Sequence, residues 1–304
     1  MKCSYCDRPA IYRRRYSGEN LCRRHFIKTV DEKVYKSVKG YLTRGSRIGL
    51  AVSGGKDSLT MAYIVGKIVR RLVGHIDLVA LIVDEGISGY RDRSVEVATE
   101  QLGRWGVRYR VGRVYEYFET TVDKLVSSND KNLSCTYCGL LRRRVLNYLA
   151  EEEGVDRLFT GHNASDIAQT ILLNMFQGNV RNIMYETEAP EAVQRIYPLG
   201  RILEQEVTLY AHLAGIDYYD KPCPYTRYSI RNDIRNFLTY MENKRPGITF
   251  SLIASAGKIR SEVGKRLRMG SCSICGQPTT REVCKVCELS MKLGLPLPKN
   301  IKTR

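Results

Sequence analysis

Ten cysteines fall into three groups along this chain, and that grouping constrains its fold more than any other feature. Cys3, Cys6 and Cys22 stand with His25 in one set, and Cys272, Cys275, Cys284 and Cys287 form another. Each outer set offers four ligands in two half-sites, the spacing of a closed structural zinc site. Segments this small cannot bury a core of their own, so bound metal would supply their folding energy. Disulfides are the competing reading of the same thiols. The middle set, Cys135, Cys138 and Cys223, offers three ligands and fits an open site. Cys135 and Cys138 read as a redox pair, a zinc half-site or an iron–sulfur half-site, and a disulfide with one spare thiol is a fourth reading. Three thiolates fit a [4Fe–4S] cluster with one iron open to sulfide or substrate.

Between the outer sets the pattern alternates. Strands are predicted over 47–52, 76–83, 107–111 and 158–160, and helices over 59–72, 93–105, 138–152 and 166–176. The strands are near-continuous apolar runs, which predicts an α/β fold with a doubly wound parallel sheet covered on both faces. A short helix over 31–44 leads in. After Pro198 the pattern is mostly helical, with helices over 203–214 and 230–241 parted by the stiff Lys-Pro-Cys-Pro run at 221–224. The expected divisions are an N-terminal zinc module (1–28), the α/β domain (29–200), a helical extension carrying Cys223 (201–268), and a C-terminal zinc module with a basic tail (269–304).

No run of about 18 apolar residues predicts a transmembrane helix. The opening MKCSYCDRPA has no apolar stretch of the signal-peptide kind, so a cytoplasmic protein is expected. The formal charge is +17, from 49 Lys and Arg against 32 Asp and Glu. Such an excess points to a polyanionic partner, nucleic acid above all. Basic residues concentrate at 13–15, 23–24, 142–144 and 258–268, which suggests a long track for a folded nucleic acid. Arg8, Arg13, Arg14, Arg15 and Tyr16, and Tyr137 beside Arg142, Arg143 and Arg144, mix charge with stacking surface as RNA contacts do.

The hexapeptide SGGKDS (53–58) sits between a strand and a helix. Gly54 and Gly55 permit tight turning, the helix offers unpaired N–H groups and a positive dipole end, and Lys56, Ser53 and Ser58 add a charge and hydroxyls. This is a phosphate cradle without Walker spacing. It resembles the PP-loop of the ATP pyrophosphatase superfamily. With DEGISGYRDRS (84–94), CTYCGLLRR (135–143), GHNASDIAQT (161–170), CPY (223–225) and both terminal Cys sets, the series resembles the tRNA uridine 2-thiolation enzymes, archaeal TtuA/NcsA-type proteins and their eukaryotic cytoplasmic relatives.

That resemblance implies an adenine nucleotide alpha hydrolase-like sheet flanked by zinc modules. It implies ATP with Mg²⁺ at Ser53, Gly54, Gly55, Lys56, Asp57, Ser58, Ile82, Arg142, Gly161 and Asp166, with the end of the second strand near Ile82 and Asp84 packing on adenine or ribose. It implies a [4Fe–4S] cluster on Cys135, Cys138 and Cys223, two Zn²⁺ on the outer sets, and catalytic roles for Cys135, Cys223, Asp166 and Lys56. ATP would adenylate uridine O2, and sulfur would come from a thiocarboxylated ubiquitin-like carrier protein. The partners implied are tRNA, that carrier and a second copy of the chain, with no membrane. A wobble uridine is favoured over a T-loop uridine. One departure stands out: the family shows two acids after GHN, and here Ser165 replaces the first. The alternatives are a cluster-free thiolase using a persulfide on Cys135 and Cys223, a non-catalytic zinc-module RNA-binding protein, and a PP-loop ligase with a nitrogen nucleophile.

Overall fold

The computed structural model describes residues 1–72, 74–179, 193–226, 230–263 and 270–298. Its centre is a five-stranded parallel sheet of β5 (Arg47–Ala51), β6 (Asp77–Asp84), β7 (Arg108–Arg113), β8 (Arg157–Thr160) and β9 (Arg195–Ile196). The spatial order is β7-β6-β5-β8-β9, with every neighbouring pair parallel. Connections after β5 run outward to one side and those after β8 to the other. The carboxyl ends of β5 and β8 therefore flank the point where the order reverses, which is where such sheets bind ligands.

Strand periodicity sorts the sheet's side chains into two cores. Ile48, Leu50, Ala80, Ile82 and Phe159 face one way. They pack with α1 (Arg23–Val38), α2 (Lys56–Val69), α3 (Arg91–Arg104) and α8 (Glu204–Ala214). Val79, Leu81, Val83 and Leu158 face the other way, against α6 (Ser134–Glu152). Helices α4 (Val114–Phe118) and α5 (Val122–Ser128) lead from β7 into α6, and α7 (Ala164–Phe176) follows β8. Helices α9 (Arg231–Lys244) and α10 (Ile248–Val263) both pack on α7. Ile202, Val207, Tyr210 and Ala211, within the segment 201–268, lie in the same core as β5 and α2.

The two small modules share a plan. The N-terminal one has hairpins β1 (Lys2–Cys3) with β2 (Cys6–Pro9) and β3 (Tyr12–Arg14) with β4 (Glu19–Leu21), and Cys22 then caps α1. The C-terminal one has a hairpin of β10 (Gly270–Ser271) and β11 (Pro278–Thr279), and Cys284 caps α11 (Lys285–Leu293). Each second half-site thus occupies the first turn of a helix that docks on the main domain: α1 on α2 and α8, α11 on α6.

Helix α1 covers 23–38, earlier than the 31–44 expected, because the Cys22 and His25 half-site itself starts it. Helix α6 begins at Ser134, so Cys135 and Cys138 lie within its first turns and do not precede it. Helix α10 has no counterpart in the sequence reading. The basic tail at 299–304 and the end of the 258–268 cluster lie outside the described residues.

Three residues read as RNA contacts are interior. Arg14 is 1% exposed, with Nε on Glu206 at 2.7 Å, Nη1 on Glu19 at 3.0 Å and Nη2 on Thr29 at 3.1 Å. It fastens the N-terminal module to the first turn of α8, since strand alternation turns it inward between exposed Arg13 and Arg15. Tyr137 and Arg144 are buried, Arg144 against sulfurs of the C-terminal module. Arg14→Met removes the cation from the fully buried Glu206 carboxylate, leaving it the Tyr16 hydroxyl and the Leu203 N–H, and should lower stability by about 3 kcal/mol. Arg13→Met, on the exposed face, should stay within about 0.5 kcal/mol. Urea unfolding followed by circular dichroism measures both.

Candidate active site and metal centres

The phosphate loop leaves the carboxyl end of β5. Gly54 has φ +85°, and a Cβ there would lie 2.0 Å from the carbonyl oxygen of Ser94, so no other residue fits. Ser58 Oγ accepts from the Ser53 N–H at 3.0 Å and lies 3.1 Å from Ser53 Oγ, which closes the loop on itself. Gly55 caps α2 without a side-chain acceptor, so the first N–H groups of the helix remain available to an anion. Lys56 Nζ is held by Asp57 at 2.9 Å and Glu204 at 3.0 Å.

Residues 161–166 come up beside this loop from β8. A Cβ on Gly161 would sit 2.8 Å from the backbone N and Cα of Ser58, so glycine here is what lets the two strand ends meet. Asn163 donates from Nδ2 to Asp57 at 3.1 Å. Its Oδ1 accepts from the Asp166 N–H, and Asp166 Oδ2 accepts from the Asn163 N–H at 3.0 Å, a reciprocal cap on α7. Burial, with Glu204 nearby, pushes the Asp166 carboxyl above its usual range, against the pull of the Asn163 N–H; burial likewise pushes Asp57 up. Ser165 Oγ accepts from the Glu204 N–H at 3.2 Å, while the Glu204 carboxylate rests on Lys56 and on Arg235 at 2.9 Å. The acid absent at 165 is thus matched by one from α8, which no motif had flagged.

Ile82 is fully buried in the core shared with α2, in a strand covered on both faces. His162 lies on the open side of the crevice, edge-on to Tyr197, with Nδ1 2.9 Å from Thr160 Oγ1. Surrounding protein, together with Arg142, Arg195, Arg231 and Arg143, pushes its imidazole down to about 4.

The middle cysteines gather at one edge of the crevice. Cys138 and Cys223 pack on Ile87, Val122 and Val126 with Tyr90 and Tyr225, while Cys135 is exposed beside them. Cys223 is placed from both sides. The Tyr219 N–H donates to Gly54 O at 2.9 Å, and Tyr225 OH donates to Asp123 at 2.7 Å. All three thiols are free. Burial, reinforced by Glu85 and Cys223, pushes the Cys138 thiol up to about 12 against the opposing charge of Arg142.

A chain of charges, buried at Arg91 and Glu85 and open to solvent at Arg142, joins this edge to the phosphate loop. Arg91 donates to Ser53 O at 2.6 Å and to Val83 O at 2.7 Å, and pairs with Glu85 at 2.5 Å. Glu85, 3% exposed, lies 3.5 Å from Arg142 Nη1, which lies 3.9 Å from Cys138 Sγ. Arg142 is therefore directed at a cysteine and at Glu85. Glu85 and Arg91 were missed as individual residues, although the quoted motif 84–94 contains both.

The outer sets are tightly formed. In each, the four ligand atoms all lie within 4.8 Å of one another. A tetrahedron around zinc has S–S edges of about 3.8 Å and S–N edges of about 3.6 Å, given ordinary Zn–S and Zn–N lengths. The observed separations are 3.8 Å for Cys6 to Cys22, 3.3 and 3.5 Å from His25 Nδ1 to Cys3 and Cys22, 3.8 Å for Cys272 to Cys287 and 3.7 Å for Cys275 to Cys284. These distances fit zinc and exclude disulfides. Burial opposes ionisation of Cys272, yet the backbone N–H groups of Cys284, Cys275 and Ile274 outweigh it and bring the thiol down to about 6.

The geometry defines a nucleotide-activating PP-loop protein with an added thiol centre, and the comparisons agree. The PP-loop domain model matches residues 25–242, and the model of the N-terminal LIM domain of 2-thiouridine synthetase TtuA matches residues 2–27. The chain belongs to the PP-loop ATPase superfamily and, within it, to the family of tRNA-thiolation proteins that includes archaeal TtuA and NcsA. It is 34% identical over 302 residues to a probable sulfurtransferase of Methanocaldococcus jannaschii, covering 96% of this chain and 88% of that one. It is 32% identical to the cytoplasmic tRNA 2-thiolation protein 1 of Xenopus laevis, covering 98% and 90%. Among solved structures it resembles the U34-tRNA thiolase NcsA of Methanococcus maripaludis with its [4Fe-4S] cluster, at a TM-score of 0.88 and 33% identity, covering 99% of both chains.

Two outcomes test this geometry. Gly161→Ala should leave the fold intact and weaken ATP binding at least tenfold, because the new Cβ displaces the first turn of α2; calorimetric titration with ATP reads it. The His162 imidazole, with its pKa lowered, should stay neutral through the working range, showing no protonation midpoint above about pH 5 by NMR.

Proposed function

We propose that this chain makes 2-thiouridine in tRNA, activating uridine O2 with ATP and replacing it by sulfur, with the wobble uridine favoured over a T-loop uridine. The phosphate loop would hold the triphosphate, and Asp166 would hold Mg²⁺. Uridine O2 attacks the α-phosphorus, the bond to the β-phosphate oxygen breaks, and pyrophosphate leaves toward Lys56 and the N–H groups of α2. O2 attack releases the N3 proton; sulfide-level sulfur (HS⁻) then bonds to C2, the C2–O2 bond breaks with O2 leaving on AMP, and the sulfur proton passes to N3, with no change of oxidation state.

Cys135, Cys138 and Cys223 would hold a [4Fe–4S] cluster. The donor set accords with it: three free thiols with no histidine among them, Cys138 and Cys223 against an apolar pocket beside Arg142 and Cys135 exposed. When bound, such a cluster supplies one iron free of protein thiolate, where sulfur can attach. The observation that carries the reading is the short link from loop to thiols, through Tyr219 on Gly54 and through Arg91 and Glu85 to Arg142. The chain itself must keep the pocket dry, hold Cys223 in place and keep His162 neutral. Cys3, Cys6, Cys22 and His25 would hold one Zn²⁺, and Cys272, Cys275, Cys284 and Cys287 the other. A thiocarboxylated ubiquitin-like carrier protein is proposed as sulfur donor, and a homodimer as the working form. The name of the eukaryotic relatives accords with a cytoplasmic location, and among the described residues no helix is long and apolar enough to cross a membrane.

Anaerobically purified protein should be brown and should convert uridine to 2-thiouridine in unmodified tRNA with ATP and sulfide, releasing one AMP and one pyrophosphate per sulfur. Cys223→Ala should lose iron and product while still binding ATP. Nucleoside mass spectrometry mapped to tRNA position identifies the uridine. Full activity from colourless, iron-free protein would sink the cluster reading.

A further inference from the structure

Arg144 is the one member of the 142–144 run that faces the protein interior, at 4% exposure. Its two terminal nitrogens reach two sulfurs of the C-terminal set, Nη1 to Cys275 and Nη2 to Cys284, each at 3.2 Å. These are two of the four atoms whose spacing fits a zinc tetrahedron. A further sulfur, Cys272, takes the Cys284 N–H at 3.3 Å. Four thiolates on Zn²⁺ leave a net charge of about −2, which is costly inside a cluster that includes Leu141, Val145 and Tyr148 unless a cation is packed with it. A guanidinium fork with two donors aimed at two sulfurs is suited to that task. Conversely, without thiolates Arg144 would be a buried charge lacking those partners. Asn147 Nδ2 adds a second tie to Gln277 at 3.3 Å, one turn further along α6.

Arg144 shares its helix with Cys135 and Cys138. It lies about 9 Å along the axis from Cys138, six residues at about 1.5 Å each. In the first turns of α6, Ser134 and Tyr137 are buried and Cys138 packs on Ile87, Val122 and Val126, whereas Cys135 and the preceding residues 131–133 are exposed. We propose that Arg144 binds the C-terminal zinc set to α6 and so fixes the part of that helix that presents Cys135 and Cys138. The C-terminal module is then a clamp on the cysteine centre, and Arg144 a positioning residue acting through the zinc thiolates. Donors of this kind that support metal ligands change metal affinity by roughly ten- to a hundredfold when removed.

The test compares full-length, zinc-loaded Arg144→Met, Arg144→Lys and Arg143→Met with the parent. Arg144→Met should weaken retention of one of the two zinc ions by roughly ten- to a hundredfold in chelator competition, and should speed amide hydrogen exchange at residues 134–141. With cobalt in place of zinc, its thiolate-to-metal charge-transfer band should shift, a signature that lost packing alone does not give. Arg144→Lys, a single donor of the same charge, should fall between. Arg143→Met, which neutralises the exposed neighbour, should match the parent in zinc retention and exchange. Parent-like zinc retention in Arg144→Met overturns the proposal. So does weakened zinc with exchange at 134–141 unchanged, because the module would then not be holding the helix. If Arg144→Met does not accumulate as folded protein, Arg144→Lys decides, and parent-like values in both measurements overturn the idea. What Cys135 and Cys138 hold rests on the thiolase reading. Exchange and zinc are read on the polypeptide itself, so an iron-free parent would count against that reading alone.

Discussion

The site depends on one buried carboxylate. Glu85, just past the end of β6, lies between Arg91 and Arg142, and each arginine has a second task. Arg91 carries the backbone oxygens of Ser53 and Val83, so it holds the ends of two adjacent strands at the depth the phosphate loop requires. Arg142 turns toward Cys138. Removing one partner from a buried pair leaves the other charge uncompensated, which costs several kcal/mol. Nucleotide loop and thiol pocket are therefore parts of one electrostatic unit, although more than 80 residues of sequence separate Gly54 from Cys138.

Much of this was legible beforehand because it is local. Apolar runs marked the strands, SGGKDS marked the loop, and Cys-x-x-Cys spacing marked the zinc sets. What escaped was helical and strand phase. A run of three arginines looks uniform in sequence, but each residue in a helix turns by about 100° from the last. Arg142 and Arg143 consequently face solvent while Arg144 enters the core. On β3 the same ambiguity hid Arg14. Helix α10 escaped because Ile248–Val263 has Gly and β-branched residues and takes its support from α7, a contact made only in the folded chain.

The departure at Ser165 has a structural answer. Its hydroxyl accepts the first N–H of α8, and that anchoring brings the Glu204 carboxylate onto Lys56. Lys56 is then flanked by Asp57 and Glu204, with Asp166 close by and capping α7. Acids from three segments, Asp57, Asp166 and Glu204, thus stand around the loop. Function read from a motif is in this respect a statement about a place in space, which residues from several segments can fill.

The sulfurs that meet Arg144 lie 131 and 140 residues further along the chain. At ribosomal speeds of about 5–20 residues per second, that interval is roughly 7 to 28 seconds. Before it ends the β5–α2 face and the N-terminal module gain their last parts, β8 and α8, whereas the inner guanidinium of α6 is still unmatched. A nascent chain therefore carries its cysteine-bearing helix incompletely seated until its last small module arrives. On the clamp proposed for Arg144, the far module would take up its metal before the central thiols are presented in their final geometry.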